Sequence, residues 1–246
     1  NTDGLAVNDE IMLIHIQGKA KHRNAYEFLW VVAINDKEIE VNKEVSNIYG
    51  EKDNDNLTNQ QIRAVRVPQY KKVQIESGAT LKVDPWNGKH GGILVFRAAE
   101  SISIDKDGKI LLTGTGYRGG LGVPEGNLEK PFQGESYPGP GKAASPSANG
   151  GGGGAHDNVA NKAQSGGGGA YGTDGQAGLD ANGNPDAIAG IAYGDSNLSK
   201  AISFGSGGGG GTADVGFPKD GAANANQSGD GGGGGGCGQQ QRDGAW

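Results

Sequence analysis

Ile202-Ser-Phe-Gly-Ser-Gly-Gly-Gly-Gly-Gly211 would be read in most chains as the start of a linker. Its reading decides the fold here, because uninterrupted glycine recurs at 150–154, 166–169, 207–211 and 231–236. Flexible chain is the default outcome of such composition. The alternative is a bundle of extended left-handed helices with three residues per turn, the polyglycine counterpart of polyproline II. Such a helix makes no internal hydrogen bonds, so its N–H and C=O groups point outward and can pair with neighbouring helices. Only glycine permits that approach, since a Cβ would stand between the backbones. At a rise of ~3.1 Å, a six-residue run is about 19 Å long. The entropic cost of ordering glycine is high, so many such bonds must offset it.

The connections between runs favour order. They are 11, 37 and 19 residues long, too unequal for a simple repeat solenoid. They carry Tyr171, Ile188, Ile191, Tyr193, Leu198, Ile202, Phe204, Val215 and Phe217, side chains that a linker seldom holds. Asn, Asp, Pro and Ala fill the remainder and suit turns. Of the 49 glycines in 246 residues, 8 fall in residues 1–113 and 41 in 114–246. The chain is therefore not one uniform globular fold. Collagen is excluded by the missing every-third-residue period.

Upstream of residue 114 the composition is ordinary. Glu10–Gln17 is an apolar run of strand length, Glu27–Ile34 is a second, and Asn35-Asp-Lys37 reads as the turn into Glu38–Asn42. Ile62, Ala64, Val65 and Val67 predict a fourth strand that Pro68 closes. Residues 1–70 are thus expected to form a small antiparallel barrel or sandwich. Residues 71–113 change pattern, with short strands at 73–75, 81–83, 92–97, 101–104 and 109–112. Turn residues separate them, as a β-coil with stacked rungs requires. The run 92–96 reads as a buried strand. Asp105–Lys109 reads as a hairpin turn with Gly108 at positive φ. The expected fold is mainly β: a small antiparallel domain (1–70), a β-coil (71–113) and a polyglycine II bundle (114–246).

Candidate chemistry is sparse. His15 reads as a strand residue on a polar face and His22 as a loop residue, without partners at metal-ligand spacing. No cofactor is expected. Asp53 and Asp55, and Asp105 and Asp107, are weak calcium candidates, since the rest of an EF-hand loop is missing. Gly114-Thr-Gly116 with Arg118-Gly119-Gly120 lacks the Lys-Ser/Thr signature of a phosphate loop. His90 and His156 sit among glycines with no nucleophile elbow nearby, so no enzyme is expected. Trp86 reads as a cap on the coil, or as a platform for a sugar ring. Cys237 is the one cysteine, so no internal disulfide forms.

The net charge is −6, most of it in the glycine-rich half, with no basic stripe for nucleic acid. No apolar run is long enough to span a membrane, and no signal-peptide pattern is present. The start at Asn1 reads as a processed mature chain or a fragment. Scarcity of Met, Lys and Arg after residue 143 points to an extracellular setting.

Residues 60–211 resemble a class of bacterial glycine-rich surface proteins. The segments that carry this are Val65-Arg-Val-Pro68, Trp86-Asn-Gly88, Gly91-Gly-Ile-Leu-Val-Phe-Arg97, Gly114-Thr-Gly-Tyr-Arg-Gly-Gly120, Tyr193-Gly-Asp195 and Ile202–Gly210. The glycine lattice is also similar in architecture to the glycine-rich domain of anaplastic lymphoma kinase receptors and to phage long-tail-fibre tip adhesins. The resemblance implies a rigid extracellular scaffold without catalytic activity. Two roles follow as expectations. One is a self-assembling subunit of a surface fibre, appendage or coat, with Leu5, Ile11, Leu13 and Ile16 pairing with a neighbour's sheet edge. The other is an adhesin that reads glycans or a receptor through Trp86, Tyr117, Tyr137, Tyr171, Tyr193 and Trp246.

Overall fold

A computed structural model describes residues 4–18, 25–46, 60–120, 132–137, 151–152, 165–179, 183–194 and 202–211. The described residues contain strands and no α-helix, and the protein is mainly β. None of them forms a helix long and apolar enough to cross a membrane. The chain divides into two compact units, Asn1–Val83 with Ile93–Leu111, and Asp84–Gly92 with Leu112–Trp246.

The first unit begins with an antiparallel sheet of β1 (Glu10–Gln17), β2 (Tyr26–Asn35), β3 (Glu38–Val41) and β4 (Gln61–Val67), in the order β3-β2-β1-β4. It is one open sheet, not the closed barrel or two-sheet sandwich that the strand count suggested. β1 is apolar without alternation because it is an inner strand covered on both faces. Ile11, Leu29 and Val31 form a core on one face, with Leu5, Leu13, Ile34, Ile39 and Val41 packed against it. Met12, Ile14 and Ile16 are buried on the other face. The β2–β3 hairpin turns at Asp36, whose φ is 53°; an acidic residue tolerates that left-handed conformation better than a branched one. His15 is buried, contrary to the polar-face expectation. Its Nε2 lies 2.9 Å from Gln60 Oε1, which supplies the partner a buried imidazole needs.

The coil follows directly. β5 (Gln69–Ile75) pairs in parallel with β7 (Arg97–Ile104), and β6 (Thr80–Leu81) in parallel with β8 (Lys109–Ile110). Arg97 lies 28 positions past its partner Gln69; Ile102 lies 29 past Val73, and Lys109 29 past Thr80. One rung therefore stacks on the next. Asp105–Lys109 is a turn, but not of a hairpin, since β7 and β8 each pair with the preceding rung. Asp107, not Gly108, takes positive φ, at 66°. Gly108 is glycine because a Cβ there would press on the carbonyl oxygen of Ile75 at 2.8 Å. The expected buried strand at 92–96 is not formed. Those residues are half-buried and belong to no strand, and the strand starts at Arg97.

Sheet and coil are one unit, rather than separate domains divided at residue 70, because Glu10 grips both rungs. Its buried carboxylate accepts from Arg97 Nη2 at 2.6 Å, from Arg97 Nε at 2.7 Å and from Gln69 Nε2 at 2.5 Å. Arg97 also lies over the Phe28 ring, 4.7 Å from its centroid. The Arg97 hydrogen bond, opposed by burial and helped by Gln69, holds the Glu10 carboxyl below its ordinary value of 4.5. The unfolded chain therefore binds this proton more readily than the folded one. The contribution to stability is present above pH ~4.5 and is lost as pH falls through the lower folded-state value. Urea midpoints of the wild type and Glu10→Gln are expected to differ at pH 7 and to converge toward pH 3. A gap that stays constant between those pH values would contradict this assignment.

The second unit is built from the glycine runs. Phe204–Gly211 is buried along its whole length, and its hydrogen bonds recur with a period of three. Ser206 N and Gly209 N donate to Ala170 O and Gly167 O at 3.2 and 2.8 Å. Gly207 N and Gly210 N donate to Glu135 O and Phe132 O at 2.9 and 2.8 Å. Gly205 O and Gly208 O accept from Tyr117 N and Gly120 N at 3.0 and 2.7 Å. Gly207 O also accepts from Gly152 N at 3.1 Å. Residues three apart thus face the same neighbour, as a threefold helix requires and a two-residue strand repeat forbids. The segments 165–170 and 132–137 run antiparallel to it, and 117–120 runs parallel. The bonds Gly168 N to Gln176 O, Gly175 N to Gly190 O and Gly190 N to Gly168 O join 165–170 to two further stretches. Two short strands, β9 (Gly178–Leu179) and β10 (Pro185–Ala187), pair antiparallel at one side.

Candidate functional site: a buried aromatic and carboxylate node

Most of the segments that stand out in the sequence between Trp86 and Gly210 converge on one place in the second unit. Trp86 is wholly buried, and its backbone N–H donates to Thr115 O at 3.1 Å. Two glycines at positive φ, Gly91 and Gly92, fold the loop after it, and Gly92 N donates to Asp84 O at 2.8 Å. The indole meets Phe204 edge to face at 5.5 Å between centroids, and Tyr117 meets the same ring at 5.1 Å.

Glu135 lies beneath this cluster at 3% exposure, from a segment the sequence did not single out. Its oxygens accept from Trp86 Nε1 at 3.2 Å, Arg118 N at 3.0 Å, Arg118 Nε at 2.8 Å and Arg118 Nη2 at 3.3 Å. Arg118 Nη1 reaches on to Asn87 O at 3.3 Å. A buried carboxylate held by a guanidinium, a backbone amide and an indole has both oxygens committed. It serves as a tie between Trp86-Asn-Gly88, the Tyr-Arg-Gly-Gly segment and 132–137. Neither oxygen is left for proton transfer to a substrate.

Tyr193 extends the node. Its hydroxyl donates to Phe204 O and accepts from Ser206 Oγ at 3.0 Å. Its ring meets Tyr171 edge to face at 5.7 Å.

The proposed adhesion residues therefore divide. Trp86, Tyr117 and Tyr137 are buried and present no ring to a ligand, and the partners of Trp86, namely Thr115, Glu135 and Phe204, lie within the second unit. Tyr171 and Tyr193 are half-buried, and Trp246 lies outside the described residues. The assembly residues fare similarly. Ile11 and Ile16 are core, and Leu5 and Leu13 are half-buried. β1 is bonded on both edges, to β2 and β4, and has no open edge for a neighbour. Of the calcium candidates, Asp53 and Asp55 lie outside the described residues, as do His22, His156 and Cys237. Asp105 accepts from Gln74 Nε2 at 3.1 Å. No group of three His, Cys, Asp or Glu gathers among the described residues.

Exposed apolar side chains lie elsewhere, among them Trp30 and Val32 on β2 and Tyr70 on β5. Ile102, Ile104, Ile110 and Leu111 lie on the second rung of the coil, and Leu179, Ile188, Ile191 and Ile202 on the glycine-rich unit. Glu135 could have been sought as an acid set between Gly134 and Ser136 in a half with few charged residues. Nothing local pairs it with Trp86, 49 positions away. No protein-family model, curated protein or solved structure matches the chain.

Proposed function

We propose that this chain is a non-enzymatic, extracellular structural protein that self-associates as a subunit of a surface fibre, appendage or coat. The observation that carries the reading is the Phe204–Gly211 segment, buried along its length and hydrogen-bonded to four neighbouring segments with a threefold period. Such an arrangement fixes backbone against backbone and leaves few side chains over for chemistry, which suits a load-bearing body. The Trp86–Arg118–Glu135 tie supports the same reading, since it spends a buried carboxylate and its guanidinium on holding segments together. The resemblance to bacterial glycine-rich surface proteins, and the scarcity of Lys and Arg after residue 143, are the grounds for the extracellular setting. The adhesin reading loses Trp86, Tyr117 and Tyr137 to burial, and nothing in the geometry favours it.

Electron microscopy of the purified chain at rising concentration tests the proposal. Filaments or sheets with a subunit repeat are expected. Dispersed monomers that are captured on a glycan array would overturn the proposal and support the adhesin.

A further inference from the structure

We infer that the second rung of the coil is the seat of a second copy of this chain, joined edge to edge through β7 across a two-fold axis. The inference rests on the self-association reading and names the surface that would serve it.

The columns of apolar side chains in the coil are stacked in register: Val73 with Ile102, Ile75 with Ile104, Leu81 with Ile110. They are not equally covered. Ile75 is 5% exposed and its partner Ile104 is 50% exposed. Val73 is half-buried and its partner Ile102 is 53% exposed. Ile110 and Leu111 are exposed beside them. The column is thus less exposed at the first rung than at the second.

The backbone tells the same story. Asp105 N, Lys109 N and Leu111 N donate back to Ile75 O, Ala79 O and Leu81 O of the first rung. Alternation along a parallel ladder then turns the peptide groups of Ile102, Ile104 and Ile110 the other way, toward the open edge. β5 and β7 form a sheet of only two strands, and such a pair is marginal on its own. Natural edges are blunted by charge, proline or bulges. Ser101-Ile-Ser-Ile104 has no charge and no proline, and the register shift of the ladder falls before it, between Ala98 and Ser101.

The burial difference selects the occupant. A head-to-tail stack needs an open first rung to receive the next copy, and the first-rung column is the less open one, with Ile75 buried and Val73 and Leu81 half-buried. Among the described strands, the surface that matches it is a second open rung, which makes the contact isologous. An antiparallel pairing centred on Ile102 builds a four-stranded sheet in the order β5-β7-β7-β5. It sets Ile104 of one copy opposite Glu100 of the other, and Ser101 opposite Ser103. A parallel pairing would set Glu100 on Glu100, which is unfavourable. Charge therefore favours the antiparallel two-fold arrangement.

Two variants test this in the full chain, with Cys237→Ser as background for the first. Ile102→Cys places the new thiols opposite each other at about 5.5 Å between Cα atoms, within disulfide reach. Diamide oxidation is expected to convert most of the protein to a covalent dimer, whereas exposed Thr80→Cys on the first rung stays largely monomeric. Ile104→Lys puts a charge on the bare edge and is expected to raise the dimer dissociation constant at least tenfold by sedimentation. Measured below the dimer dissociation constant, its melting temperature should match that of the wild type, because the side chain is exposed. If wild type and Ile104→Lys sediment alike as assemblies and Ile102→Cys gives no dimer, the coil interface is overturned while self-assembly stands. If the wild type stays monomeric at every concentration and Ile102→Cys gives no dimer, both fall.

Discussion

Gly207→Ala is expected to unfold the glycine-rich unit or to lower its stability by more than about 3 kcal/mol, read as a urea midpoint shift. A Cβ at this position would lie well inside 3.0 Å of both the carbonyl oxygen and the carbonyl carbon of Arg118. Overpacking a core usually costs about 1–3 kcal/mol, because side chains can move aside. The obstacle here is backbone, and Gly207 is held on other sides as well. Its N–H donates to Glu135 O and its oxygen accepts from Gly152 N. A shift away from Arg118 therefore strains bonds to two further segments. Gly134→Ala should behave alike, since its Cβ would meet Gly207 O from the other side. Ile188→Ala, at an exposed position, should change stability by no more than about 0.5 kcal/mol. An alanine at 207 with an unchanged midpoint would show that the segments are not packed as described.

Trp86→Ala is the second large effect, at about 3–5 kcal/mol for loss of a fully buried tryptophan. The substitution removes the indole between Phe204 and Glu135 and takes away one of the donors to a buried carboxylate. Trp86→Phe separates the two contributions. It keeps much of the ring volume and loses the Nε1 donor, and should cost about 1–3 kcal/mol, the usual penalty for leaving a buried acceptor short. Both values are to be taken from urea unfolding of the full chain. Equal midpoints for wild type and Trp86→Ala would mean that the aromatic node does not hold the unit together.

The boundaries of the small sheet were legible to within a residue or two. Apolar runs such as Glu10–Gln17 and a turn such as Asn35–Lys37 are local signals, and β1 carries its inner position in its lack of alternation. Pairing was less legible. A two-residue period serves a hairpin and a coil equally well. Asp105–Lys109 was thus expected to close a hairpin, where the chain instead climbs to a second rung. The repeat that shows this, Val73-Gln-Ile75 against Ile102-Ser-Ile104, is too short to be found without the structure. Bulk misled at Trp86 and Tyr117. An aromatic beside glycine and asparagine has the look of an exposed platform, and its burial depends on Phe204 and Glu135 far along the chain. The glycine runs were the reverse case. Their composition favours a linker, and the scattered Tyr, Ile and Phe between them carried the argument for order. Phe204 and Tyr193 now stand in the node, with Tyr171 against Tyr193, while Ile188 and Ile191 lie on the surface.

Amide hydrogen exchange on the intact chain is the most direct test of whether the glycine runs are a built body. Ser206, Gly207, Gly209 and Gly210 donate to neighbouring segments in a buried setting. Their amides should exchange only through opening of the unit, at rates orders of magnitude below those of an unstructured glycine chain. Exchange of these four amides at the unstructured rate would show that Gly207–Gly211 is a tether and would contradict the threefold lattice.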